Sequence, residues 1–144
     1  MKTPADLAAK MQHDLTRMRA HSTDTYAAFD FFVAARHMPE WLFPNDHTAQ
    51  EAFFAQHVEL RVSRHLADGG KHFEATHRQH QQVAATTKSA GAWGESWRGW
   101  APGVWGDGLF IDLYPMDPGT KQLGARISAV QLAERVMAIV QAAI

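Results

Sequence analysis

The run from Tyr26 to Ala35 constrains this chain most: Tyr-Ala-Ala-Phe-Asp-Phe-Phe-Val-Ala-Ala is apolar nearly all round a helix and carries one charge, Asp30. A helix without a polar face belongs at the centre of a packed structure, with other elements on several sides. An unpaired ionised carboxylate between Phe29 and Phe31 costs several kcal/mol, so Asp30 is expected to be a buried structural charge with a cationic partner. Arg61, Arg64, Lys71 and His72, further along the chain, are the candidate partners. The alternative use of Asp30 is to orient His72 or Arg64 for acid–base chemistry.

The elements that surround such a helix are legible from their start signals. Thr3, Pro4 and Asp6 open a first helix over about residues 4–20, whose stripe is Leu7, Met11, Leu15 and Met18. Ser22, Thr23 and Asp24 offer the cap of the central helix, about 24–38, which Pro39 interrupts before a turn at 43–46. The pattern Thr48 to Glu51 reads as a capping box opening a long third helix, about 49–73. Ser128 and Gln131 form a second capping box, with Ile127 and Leu132 as its staple, and a last helix runs over 129–143 with Val136, Val140 and Ile144 in its stripe. Between the third and last helices the periodicity changes to alternation, over about 83–88 and 109–113, which fits two antiparallel strands. The expected fold is therefore mainly α: a four-helix core with a two-stranded antiparallel insertion before the C-terminal helix, in one domain.

Composition narrows the function classes. Fourteen Lys and Arg against fifteen Asp and Glu leave a formal charge of −1, so no overall field draws the chain to nucleic acid or an anionic membrane. The chain has no Cys, which removes disulfides, thiol catalysis and Cys-type zinc sites and fits a reducing compartment. No run approaches the roughly 20 apolar residues of a membrane span, and the first twenty residues lack a signal-peptide core. A cytoplasmic location without membrane attachment is the expectation. No Gly-rich phosphate loop, nucleophile elbow or His-Glu-x-x-His motif is present, and no cofactor is expected.

The third helix holds the densest chemistry. At 100° per residue Val58, Val62, Leu66 and Phe73 fall on one arc, and His57, Arg61, Arg64, Asp68 and His72 on the neighbouring one. The segments Phe29 to His37 and Leu66 to Phe73 resemble a family of small, functionally undefined bacterial helical proteins with an Asp-containing aromatic helix and a later Lys-His-Phe. More distantly, an Arg and a His on one long helix resemble the HEPN superfamily, many of whose members are RNases of toxin and defence systems. HEPN nucleases separate Arg and His by four to six residues, whereas seven lie between Arg64 and His72 here. That resemblance implies a metal-independent ribonuclease, with His72 moving a proton at the ribose 2′-hydroxyl, Arg64 stabilising the phosphate charge and Asp68 beside them. RNA is then a candidate partner.

Two further groups stand out. Glu74, His77 and His80 have the spacing to face one ion from a continuing helix, although only one Glu-x-x-His is present and a di-iron bundle needs two. Trp93, Trp97, Trp100 and Trp105 sit with Arg98 in a Gly-rich segment, a composition that suits a protein-binding surface, a cover for the helical core or, with only Arg98 and Lys88 as nearby cations, a stacking platform for single-stranded nucleic acid. The reading best supported by the residues is a non-catalytic protein-binding or regulatory module. A protein partner or a second copy meets the Trp segment or the polar row, to which Arg61 and Lys71 add basic charge. A HEPN-like RNase and a metal-binding helical protein are the alternatives.

Overall fold

The computed structural model describes residues 1–71, 83–90, 107–113 and 119–144, with backbone alone for 69–71, 83–90 and 107. It is mainly helical, with an antiparallel sheet before the C-terminal helix: α1 (Pro4–Ala20), α2 (Thr25–Leu42), α3 (His47–Gln56), α4 (Val58–Lys71), β1 (Val83–Ala90), β2 (Asp107–Leu113), β3 (Arg126–Ser128) and α5 (Ala129–Ala143).

Local chemistry accounts for most helix starts. The Thr3 side chain accepts from Asp6 N–H while the Asp6 carboxylate accepts from Thr3, a complete capping box with Pro4 at the first helical position. Asp24 caps α2 by accepting from Tyr26 and Ala27 N–H at 3.0 Å each. These backbone donors hold the Asp24 carboxyl below its ordinary range, Ala27 N–H contributing most. Ser128 and Gln131 make the expected capping box of α5. At α3 the cap is Asp46, not Thr48: Asp46 accepts from Ala49 N–H at 2.9 Å, and Asn45 turns the chain at φ 63°, a conformation Asn tolerates.

The long third helix expected over 49–73 is two helices. His57 is extended, and its N–H bonds Phe54 O as a tight last turn of α3. No Gly or Pro marks the break; packing imposes it. Phe53 meets the Phe43 ring at 5.7 Å, and Asp68 meets Arg36 at 2.7 Å. On a straight rod residues 53 and 68 lie about 22 Å apart, but 36 and 43 are about 10 Å apart along α2, so both contacts require a turn between them. Arg61 then satisfies the freed end of α3, donating to Ala55 O at 2.7 Å.

Pro39 also behaves differently from expectation. α2 continues through it to Leu42, and Phe43 N–H bonds Pro39 O. One helical turn follows the proline, and the lost N–H is offset there by pairs across it: Arg36 and His37 both reach Glu40, at 3.2 and 2.9 Å.

β2 is the middle strand, antiparallel to β1 and to β3. Ala90 pairs with Asp107 at one end of the first ladder and Val83 with Leu113 at the other, so both strands exceed the expected ranges. β3, pairing Ile127 with Ile111, is an addition to the expected two strands, and three residues are too short for alternation to reveal. Arg126 clamps Asp112 across that ladder with bonds of 2.6 and 3.1 Å. The core runs from the stripe of α1 through Phe31, Ala35 and Met38 of α2 and Leu60 and Val62 of α4 to Ile111, Leu132, Val136 and Val140. Each of these side chains larger than Ala contributes about 1.5–3 kcal/mol by leaving water.

Candidate functional site

α4 places Arg61, Arg64 and Asp68 on one row, as their spacing predicts. Two buried arcs flank that row: Val58, Val62 and His65 on one side, and Leu60, Ser63 and Ala67 on the other. The second arc was hidden in sequence because it mixes one Leu with small residues, which let neighbouring elements approach closely. The polar row is thus the strip of α4 left between two packed faces.

Of the described row members, His57 lies at the break before α4 with its ring 4.9 Å from that of Phe53, and the other three are committed. Arg64 donates to both carboxylate oxygens of Glu51 at 3.0 and 3.1 Å, and its guanidinium lies 4.8 Å from the centre of the Phe54 ring. It therefore ties α4 to α3. Arg61 caps α3. Asp68 accepts from Arg36 Nε, which begins a chain of contacts through Glu40 to His37 on α2. Burial pushes the Glu40 carboxyl up, but the hydrogen bond and charge of His37, with Arg36, outweigh it and hold Glu40 below the ordinary glutamate range. An arginine that stabilises a phosphate needs donors aimed at open space; Nη1 of Arg64 is turned onto Glu51.

Asp30 is not the buried charge. Its side chain is 48% exposed and pairs with Arg17 of α1 at 3.3 Å, and among the described side chains no cation of α4 pairs with it. Its sequence neighbours Phe29 and Phe31 are rotated about 100° to either side of it, so they do not enclose it. Among the described residues the buried carboxylate is Asp14, its side chain 4% exposed, held by Lys10 one turn before and Arg17 one turn after. The i−4 and i+3 cations around Asp14 were the signal that could have found it.

Sequence reasoning also missed the outward ridge of α2. Tyr26 is 80% exposed and Phe29 40% exposed, although this helix touches all four others. Tyr26, Val33 and Glu40 lie on one line at i, i+7 and i+14, with Phe29 and Arg36 on the α4 flank and Asp30 and His37 on the α1 flank.

The backbone of Lys71 ends α4, while His72, the metal candidates Glu74, His77 and His80, and the Trp93, Trp97, Arg98, Trp100 and Trp105 group lie outside the described residues. Among the described residues no three His, Asp or Glu gather as a metal site, and no helix is long and apolar enough to cross a membrane. A cavity of about 350 Å³ opens between the end of α1, β2 and the start of α5, lined by Arg19, Ser22, Phe110, Arg126, Ser128 and Gln131. Both of its arginines carry carboxylate partners, Arg19 with Glu134 at 2.9 Å and Arg126 with Asp112. No family model, curated protein or solved structure matches the chain.

Proposed function

We propose that this chain is a non-catalytic protein-binding module, and that the outward ridge of α2 is part of its docking face. The observation that carries the reading is a division of labour. Arg61, Arg64 and Asp68 are spent joining α3, α4 and α2, whereas Tyr26 and, in part, Phe29 present aromatic surface to solvent. Aromatic side chains with little conformational freedom are the residues that anchor interfaces, and an exposed pair on a rigid helix needs no ordering before it binds. The charged residues around them supply the polar rim such a contact needs.

The test uses the intact chain as bait against a native extract, beside a Tyr26→Ala/Phe29→Ser variant matched in thermal stability. Proteins retained by the parent and lost by the variant are expected. An identical set retained by both overturns the assignment of the ridge.

A further inference from the structure

We infer that the occupant of the α2 ridge is a second copy of this chain, its α2 packed antiparallel across a two-fold axis beside Val33. This rests on the ridge being a docking face and names its partner. A two-fold axis perpendicular to an antiparallel helix pair keeps each flank on its own side while reversing direction along it. With the axis beside residue 33, position 26 therefore meets position 40 on the centre line, 30 meets 37 on the α1 flank, and 29 meets 36 on the α4 flank.

The residues at those positions are complementary. The Tyr26 phenol, as a donor, faces the carboxylate of the second copy's Glu40. The Asp30 carboxylate faces the imidazole of the second copy's His37. The Phe29 ring faces the exposed quarter of the second copy's Arg36, whose guanidinium Asp68 and Glu40 already hold in place, a favourable cation–ring arrangement. All three pairs occur twice by symmetry, Val33 fills the middle, and the two helix dipoles oppose. A parallel pairing sets Glu40 against Glu40 on the centre line and brings Asp30 to the second copy's α4 flank beside Phe29, so the charge pattern selects the antiparallel one. Each half of the ridge is the complement of the other half, which is what an isologous contact requires of one surface.

α2 is 18 residues long, about 27 Å, and one helix pair of that length falls at the small end of specific interfaces, below about 1,200 Å². The association is accordingly weak and reversible, so it is read by mass against concentration and by trapping. Because the chain has no Cys, single cysteines report cleanly. Two Val33→Cys residues beside the axis fall within the roughly 4.4–6.8 Å Cα separation of a disulfide. Two Tyr26→Cys residues lie about 21 Å apart along the pair.

The expected result is a sedimenting mass that rises from 16.1 kDa towards twice that value as the concentration approaches about 0.2 mM. Under mild oxidation Val33→Cys gives a covalent dimer and Tyr26→Cys does not. A constant monomer mass without covalent Val33→Cys dimer overturns the self-pairing, and so does equal cross-linking at position 26. The bait experiment separates the two readings. Monomer mass with partners still lost by Tyr26→Ala/Phe29→Ser removes the second copy alone; monomer mass with unchanged capture removes the docking face as well.

Discussion

Asp68 accepts a hydrogen bond from Arg36 Nε at 2.7 Å across the seam between α4 and α2, with the two side chains only 17% and 25% exposed. The contact ties α4 to α2 through the middle residue of the candidate row Arg64, Asp68 and His72. Because the pair is largely shielded, removing either partner leaves the other poorly solvated. Asp68→Asn and Arg36→Met should each lower unfolding free energy by about 1–3 kcal/mol, and the double variant should cost less than the sum. Urea denaturation of the four proteins measures the coupling.

Two aromatic residues of α2 differ sharply in exposure. Phe31 is fully buried and packs edge-on against Phe32 with ring centres 5.4 Å apart. Phe31→Ala should destabilise by about 3–5 kcal/mol, through lost burial and the cavity left behind. Tyr26→Ala should change monomer stability by no more than about 0.5 kcal/mol. Chemical denaturation at low protein concentration checks both.

The two carboxylates of the α1–α2 pair should behave in the reverse of their sequence appearance. Asp14→Ala removes the acceptor of Lys10 and Arg17 from a buried position and should cost about 1–3 kcal/mol. Asp30→Ala, at an exposed position, should cost under about 1 kcal/mol. Equal effects, measured by thermal and urea unfolding, count against the described packing.

What was legible in the sequence followed the range of the forces involved. α1 and α5 were readable to within a residue because their stripes, caps and capping boxes act over three or four positions. The turn at His57 was not, since it satisfies contacts of Phe53 with Phe43 and of Asp68 with Arg36 that no local pattern encodes. The row Arg61, Arg64 and Asp68 was found correctly as a row, yet its partners Glu51 and Arg36 come from other helices, so its use was invisible. Tyr26 was misplaced for a related reason: apolar residues around a whole helix show that much of it is buried, but not which side is left out.

Glu40 carries a pH signature. Its folded carboxyl titrates below the ordinary range, so its contribution is complete above the unfolded value of about 4.3 and disappears as pH falls through the lower folded value. Glu40→Gln should therefore be less stable than the parent near neutrality, and the difference should shrink as pH drops from about 5 towards 3. Urea midpoints taken across that interval test the sign. A gap that widens on acidification contradicts it.

On the proposed reading the polar row of α4 joins helices and performs no chemistry. The most direct measurement is incubation of the purified chain, and of Arg64→Ala and His72→Ala variants matched by circular dichroism, with a mixed RNA substrate in the presence and absence of chelator. Intact RNA with all three proteins under both conditions is the predicted result. Cleavage by the parent that either variant abolishes would contradict the account and make the row an active site.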